Sequence, residues 1–328
     1  MLVSEECFRD EEMRRAVENN YGIVGECDFS GRLGRLIEIE FFYDFFDEVL
    51  SLFKLSGAGH PLVEVIQDDW AIFSSIDIGK AILNNICKDI APGFTAQSPV
   101  EYSDAIVGKM GIWDELKKSV MNDYRFFSSH DTLDVYSSFL PQASLRKKTV
   151  LYRARILPKG RTKLKTTEMG CPPASLSTAG RANPPGISYL YLCGDEPTTY
   201  YEVRSVQLDK VCIGRFLVQK DLKIVDFNAK ISLYLAFDGN DLADVVASKK
   251  IMDAIRQDMS RPMRRYDSEL EYIPTQMICE YCKVQGADGI CFDSTLHKGG
   301  KNYVLFNSDY AKCTKVYYRE VKEIDIRV

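Results

Sequence analysis

Apolar residues recur at three- and four-residue steps through much of the first 145 residues, which is the spacing of amphipathic helices that bury one face. In the segment 41–55, Phe42, Phe45 and Phe46 fall on one face together with Val49. We predict helices over Glu5–Asn20, Phe41–Leu55, Ile78–Ile90 (with Asp77 as its N-cap) and Ile112–Phe127.

The pattern changes near Leu140–Lys148, and beyond it short segments alternate between apolar and polar residues as β-strands do. We predict strands over Thr149–Leu157, Ser188–Cys193, Val211–Val218, Leu222–Phe227, Asp288–Asp293, Asn302–Asn307 and Lys315–Val328, and helices over Asp241–Met259 and Pro274–Val284. The fold class is therefore α+β: a mainly helical N-terminal domain, residues 1–145, followed by a mixed α/β domain, residues 146–328. Strands and helices do not alternate regularly as in a doubly wound fold.

Composition suggests a folded cytoplasmic protein. Hydrophobic residues make up 45% of the chain and charged residues 27%. No apolar run reaches the length of a membrane span, and the first residues lack the pattern of a secretory signal, so we expect no membrane association. The ten cysteines show no framework-like spacing, which favours reduced thiols.

Charge is divided unevenly between the two halves. Residues 1–145 hold 25 acidic and 12 basic side chains, and residues 146–328 hold 22 acidic and 30 basic ones. The basic half suits an anionic ligand such as a dinucleotide, but it also suits RNA or DNA, and the two halves could simply attract each other. The longest basic run is Arg146–Lys148, so we do not expect a nucleic-acid partner, although a nucleic-acid-binding module remains the alternative of another class.

Polar residues with special chemistry cluster in the second half, where the usual phosphate-loop, dinucleotide-loop and serine-nucleophile motifs are missing. Arg153 and Arg155 lie on one face of a predicted strand. The turn Gly180–Gly186 (GRANPPG) holds Arg181 and Asn183 and leads into the strand of Tyr191. Asp195 is placed to cap a helix that contains Glu202, and much later Ser294 ends a strand before a Gly-rich turn.

These motifs, YRAR, GRANPPGISYLYLCGDEPTTYYEV and GADGICFDS with GGKNYVLFN, resemble the RES domain, which is named for its Arg, Glu and Ser. The resemblance covers roughly residues 146–310. It implies a fold similar to that of ADP-ribosyltransferases, with a split sheet, and an enzyme that acts on NAD as substrate. Carried over by motif, the implied catalytic residues are Glu202, Arg153 and Ser294. The implied NAD-binding residues are Arg153, Arg181, Tyr191, Asn183 and Ser294.

The residue types suit cleavage of the nicotinamide–ribose bond, which builds positive charge on the ribose. The carboxylate of Glu202 would stabilise that charge, the forked guanidinium of Arg153 (and of Arg181) would bind the pyrophosphate, and the ring of Tyr191 would stack on nicotinamide. Ser294 would orient ribose or phosphate. The leading hypothesis is an NAD glycohydrolase or phosphorylase, with a mono-ADP-ribosyltransferase as the alternative.

Members of the family implied by the resemblance are bacterial toxins, so we expect a toxin or a phage-defence effector that has an antitoxin or inhibitor protein as partner. The acceptor of ADP-ribose stays open. The oligomeric state stays open as well, and a homo-oligomer is one of the alternatives. We expect no metal: Cys279 and Cys282 lack a second ligand pair. The N-terminal region resembles one that precedes some RES domains and begins with two CxxC-like pairs, but here only Cys7 and Cys27 remain, beside Ser4 and Ser30.

Overall fold

The computed structural model describes residues 1–125, 133, 140–261 and 268–323. Within these ranges the strands are β1 Leu2–Ser4, β2 Ile23–Glu26, β3 Leu33–Glu38, β4 Phe53–Pro61, β5 Pro99–Tyr102, β6 Gln142–Leu145, β7 Val150–Ile156, β8 Leu190–Cys193, β9 Lys210–Val218, β10 Leu222–Asp226, β11 Gly289–Asp293, β12 Lys301–Leu305 and β13 Ala311–Glu320. The α-helices are α1 Glu11–Asn20, α2 Tyr43–Ser51, α3 Leu62–Trp70, α4 Ile76–Ile90, α5 Asp104–Met110, α6 Ile112–Asn122, α7 Glu196–Glu202, α8 Leu233–Phe237, α9 Leu242–Ser260 and α10 Ile273–Val284.

The chain folds into two compact units. The first comprises Met1–Gly111 with Lys230–Lys250, and the second comprises Ile112–Ala229 with Ile251–Val328. This division differs from a boundary between residues 145 and 146, because it places α6 in the second unit and α8 in the first. The domain boundary between residues 145 and 146 stays a prediction.

The first unit packs helices against two small antiparallel sheets, one of order β1-β3-β2 and one formed by β4 and β5. Its core is aromatic: the ring centroids of Phe45 and Phe46 lie 5.0 Å apart, and Phe46 stacks on Phe73 at 6.1 Å. The apolar face predicted for the segment 41–55 therefore enters this core, as its spacing indicated.

The second unit is built around a mixed eight-stranded sheet of order β13-β9-β7-β8-β12-β11-β10-β6. Neighbouring strands are antiparallel except β10 and β11, which run parallel. One residue pair, Tyr152 with Cys193, joins β7 to β8, whereas β7 pairs with β9 along seven residues. The sheet is thus nearly split between β7 and β8, which agrees with the predicted split sheet and confirms the mixed fold class.

Several predicted boundaries were wrong for local reasons. The helix expected over Phe41–Leu55 ends at Ser51, because the chain turns at Leu52 and Phe53 begins β4. Ser75, not Asp77, caps α4, since its side chain accepts the amide of Ile78. The helix expected from Glu5 begins at Glu11 behind the capping carboxylate of Asp10.

The remaining predicted helices and strands are present with ends shifted by a few residues. Parts of two predictions, residues 126–127 and 324–328, lie outside the described residues. Among the residues that the structure describes, no helix combines the length and the apolar character needed to cross a bilayer.

Candidate functional site

A cavity of about 460 Å³ opens in the second unit where β7 and β8 diverge. Arg153 from β7 and Tyr191 and Cys193 from β8 line it, together with Arg181 and Glu202. Its volume falls within the range of roughly 300–1,000 Å³ that is usual for small-molecule sites. The near-split of the sheet therefore creates the site, because strands that stop pairing leave room between their edges.

Arg153 and Arg155 project from the same face of β7, as their spacing predicted. Both guanidiniums donate to the carbonyl of Gly170, Arg153 at 3.2 Å and Arg155 at 2.7 Å. Burial, together with the neighbouring charge of Arg155, lowers the pKa of Arg153 from its ordinary value. In the part of the chain that the structure describes, neither side chain forms an ion pair with a carboxylate. Arg153 therefore lines the cavity as a partly buried cation with room for an anionic ligand.

Arg181 reaches the same cavity from the turn 180–186. Its guanidinium donates to the carbonyl oxygen of Asp258 at 2.6 Å and to that of Arg261, and it lies 5.5 Å from the centre of the Tyr272 ring. Burial lowers its pKa from the ordinary value. These contacts fix the guanidinium without neutralising it by a bound carboxylate.

Asn183 organises the turn rather than the cavity. Its side chain is 3% exposed, and its oxygen accepts the Tyr191 hydroxyl at 2.7 Å. Its amide nitrogen donates to three carbonyl oxygens, those of Thr178, Pro184 and Ile187. Asn183 does not line the cavity and supports Tyr191, and its binding of NAD stays a prediction.

Tyr191 has its hydroxyl engaged on both sides, since it also accepts the amide of Ala182 at 3.0 Å. Burial raises the pKa of this tyrosine. A Cβ at Gly180 would lie 2.6 Å from Asn183 Oδ1 and 2.7 Å from the Tyr191 hydroxyl, so this contact requires glycine at position 180.

Helix α10 holds the turn from the other side. Gln276 donates to the carbonyl oxygens of Gly180 and Asn183 at 2.9 and 3.0 Å, and Thr275 donates to that of Arg181 at 2.7 Å. Neither residue was predicted from the sequence. Their only signal is two polar side chains in an otherwise apolar first turn.

The carboxylate of Glu202 ends α7 at the cavity. Its Oε1 accepts the hydroxyl of Ser294 at 2.7 Å and the side-chain amide of Asn302 at 2.8 Å. Ser294 is buried and does not line the cavity. The chain therefore brings the predicted Glu202 and Ser294 into direct contact, and Asn302, which lies in the motif GGKNYVLFN but was given no role, completes the arrangement.

Asp195 caps α7 as predicted, because its Oδ1 accepts the backbone amide of Thr198 at 2.8 Å. The same oxygen accepts the hydroxyl of Thr198 at 2.8 Å, and that hydroxyl lies 2.8 Å from Nδ1 of His297. These side chains join α7 to the turn that follows β11.

Two thiol pairs lie outside this cavity. The sulfur atoms of Cys7 and Cys27 are 3.4 Å apart and buried, with the Ser4 hydroxyl 3.9 Å from Cys7 Sγ. Cys279 and Cys282 are buried in α10. The described residues contain no group of three or more His, Cys, Asp and Glu side chains placed to hold a metal ion. The absence of a structural zinc ion stays a prediction.

Comparisons with known proteins agree with the motifs. A family model described as the RES domain matches residues 150–325. No curated protein matches the chain. A solved structure with some likeness is a crystal structure of the M. tuberculosis MbcT–MbcA toxin–antitoxin complex, at 12% identity and a TM-score of 0.32, over 67% of this chain and 93% of that one. A TM-score this low supports no residue-by-residue correspondence.

Proposed function

The chain belongs to the RES domain family, and on that premise we propose that its second unit is an enzyme that cleaves the nicotinamide–ribose bond of NAD. The supporting observation is one cavity that contains the carboxylate of Glu202 and the guanidiniums of Arg153 and Arg181. A dinucleotide offers a pyrophosphate to the cations and ribose hydroxyls to the carboxylate, so its charge distribution matches that of the cavity.

In the proposed reaction the electron pair of the glycosidic bond leaves with the nicotinamide nitrogen, and positive charge develops on the ribose. Glu202 is the catalytic residue that stabilises this charge. Its Oε1 is occupied by Ser294 and Asn302, so Oε2 is the oxygen that accepts a ribose hydroxyl. Nicotinamide leaves as a neutral base, and the step therefore needs no general acid.

Arg153 and Arg181 bind the pyrophosphate, since a guanidinium fork fits two oxygens of such a group. Tyr191 lines the cavity, and its hydroxyl is occupied by Ala182 and Asn183, so in the proposed complex its ring is the part that contacts the substrate. A flat ring at this place suits stacking on nicotinamide.

The proposed acceptor of ADP-ribose is water or phosphate, which makes the protein a glycohydrolase or a phosphorylase. An enzyme that depletes NAD harms the cell that makes it. We therefore propose a toxin or defence effector of the cytoplasm that is restrained by an inhibitor protein.

The test is incubation of the purified full chain with NAD, followed by mass spectrometry of small molecules and of protein. We expect nicotinamide with ADP-ribose, or with ADP-ribose-1″-phosphate when phosphate is present, and a loss of about 100-fold or more in Glu202→Gln. Glu280→Gln, an exposed carboxylate on α10, is the matched control.

ADP-ribose attached to protein would indicate the transferase instead. Intact NAD together with salt-dependent binding of RNA or DNA would favour the nucleic-acid-binding module and would contradict the proposed function.

A further inference from the structure

The turn between β11 and β12 is closed by its own backbone. The amide of Ser294 donates to the carbonyl of Gly300 at 2.8 Å, and the amide of Gly300 donates to the carbonyl of His297 at 3.0 Å. The same turn begins with Ser294 and leads into β12, where Asn302 is the second residue, so it carries one of the two side chains that contact Glu202 Oε1 and directly precedes the strand that carries the other. Whatever fixes this turn on α7 also fixes the carboxylate.

The fixing contact is a chain of hydrogen bonds whose direction can be assigned. The hydroxyl of Thr198 has one proton, and it donates that proton to Asp195 Oδ1 at 2.8 Å. The 2.8 Å contact between Thr198 Oγ1 and His297 Nδ1 must then use a proton on the ring nitrogen. His297 is therefore protonated at Nδ1 and donates to Thr198, which donates to Asp195.

Two further contacts place the His297 ring. It stacks on Tyr201, the neighbour of Glu202, with ring centroids 4.7 Å apart and an angle of 10°. Gly300 packs directly against Thr198, because a Cβ at position 300 would lie 2.4 Å from Thr198 Oγ1. Thr198 is buried, so without His297 its hydroxyl would still donate to Asp195 but its oxygen would lose the hydrogen bond that it accepts at the junction.

We infer that His297 is a positioning residue for Glu202: its Nδ1–H, bound to Thr198, holds the turn 294–300 on α7 and so keeps Ser294 and Asn302 on Oε1. This role rests on the proposed cleavage of NAD. It adds to that proposal a residue that does not line the cavity and that none of the motifs assigns. His297 acts through the orientation of the carboxylate and not on the substrate.

Four variants in two pairs test this role. His297→Phe keeps a flat ring for Tyr201 but cannot donate, and Thr198→Val keeps the volume but loses the hydroxyl. His297→Asn places an amide N–H where Nδ1 lies, and Thr198→Ser keeps the hydroxyl. We expect each of the first two to lower kcat about tenfold or more while KM for NAD changes less than about threefold. The other two retain kcat within about threefold.

The double variant Thr198→Val/His297→Phe adds a second criterion. If both residues act through one hydrogen bond, its kcat equals that of the single variants and not the product of their losses. Thermal unfolding of all five proteins identifies any that fails to fold. If His297→Phe or Thr198→Val fails to fold, kcat of the conservative variant at the same position is compared with the wild type instead.

The direct readout is the ¹⁵N NMR spectrum of the wild-type imidazoles, with His297→Asn identifying the signal among the three histidines of the chain. A proton on Nδ1 is expected, and a neutral ring protonated only at Nε2 would overturn the inference whatever the kinetics. Wild-type kcat in His297→Phe, or multiplied losses in the double variant, would overturn it as well. If the wild-type protein leaves NAD intact, the proposed function itself is wrong, and the tautomer still tests the contact.

Discussion

Ser294 Oγ donates to Oε1 of Glu202 at 2.7 Å, across 92 positions of sequence. The amide of His297 in turn donates to Ser294 Oγ at 3.2 Å. The hydroxyl therefore accepts from the turn and donates to the carboxylate. This arrangement orients Oε1 of the carboxylate.

Removal of either side chain that donates to Glu202 should reduce kcat for NAD cleavage. A hydrogen bond to a charged group contributes about 1.5–3 kcal/mol, so Ser294→Ala and Asn302→Ala should each lower kcat for NAD cleavage by roughly 10–100-fold, with KM less affected. Steady-state kinetics measure both constants. Ser308→Ala, an exposed hydroxyl in the same unit, should match the wild type. Unchanged kcat in both variants would mean that the carboxylate orients itself without them.

The turn that supports Tyr191 should not tolerate a side chain at Gly180. A Cβ there would meet Asn183 Oδ1 and the Tyr191 hydroxyl at 2.6 and 2.7 Å, and such overpacking costs about 1–3 kcal/mol. Gly180→Ala should therefore lower the Tm by several degrees and raise KM for NAD.

Gly108→Ala is the matched control for that substitution. Gly108 lies exposed in α5, and a Cβ at this position would have no other atom within 4 Å, so alanine should stabilise the helix by about 0.5–1 kcal/mol. Equal Tm changes in the two variants would show that the turn can relax around a methyl group.

The free energy of unfolding should depend on pH through Asp288, which precedes β11. Burial acts to raise the pKa of this carboxyl, but the backbone amide of Lys223 at 2.9 Å, with Tyr310 and the ammonium of Lys220 at 3.3 Å, holds it below its ordinary value. A lowered folded-state pKa adds stability that is fully present above the unfolded value of about 3.9 and is lost as pH falls through the folded value.

Urea unfolding of Asp288→Asn measures that contribution. The variant should have a lower midpoint than the wild type at pH 7, and the gap should narrow as pH falls below about 4, the unfolded-state pKa of an aspartate. Asp309→Asn, an exposed carboxylate nearby in sequence, should show no such gap. A gap that stays constant from neutral pH to well below that pKa would show that the charge of Asp288 does not contribute.

The sequence predicted those parts of the fold in which apolar residues are buried at regular positions or in a continuous run. Strand β9 and helix α4 have regular apolar patterns, and both lie within two residues of their predicted ends. Strand β2 was missed because its residues are mostly exposed, so no alternation marks it. Strand β4 was missed because Phe53 continues the apolar spacing of α2 after the chain has turned, and two glycines interrupt the segment.

Site residues could be proposed from the sequence where a motif assigns them a role. They could not be proposed where only tertiary contacts bring them to the site. Arg153, Arg181, Tyr191 and Glu202 line one cavity, as the resemblance implied. The contacts of Asn302 and His297 could not be predicted from the sequence, although Asn302 lies in a motif, because their partners Glu202 and Thr198 are about a hundred positions away. The pairing of β12 with β8 places Asn302 opposite Cys193, nine residues before Glu202.

The two arginines of β7 should differ in function, although they project from the same face of the strand and donate to the same carbonyl oxygen. Arg153 lines the cavity, whereas Arg155 donates to the same Gly170 oxygen and does not line it. Lysine keeps the charge but loses the fork that fits pyrophosphate. Arg153→Lys should therefore raise KM for NAD about tenfold or more, and Arg155→Lys should leave KM nearly unchanged. Initial rates over a range of NAD concentrations measure this difference. Equal effects on KM would contradict the assignment, because the two guanidiniums would then act as one structural pair and not as one ligand-binding and one supporting side chain.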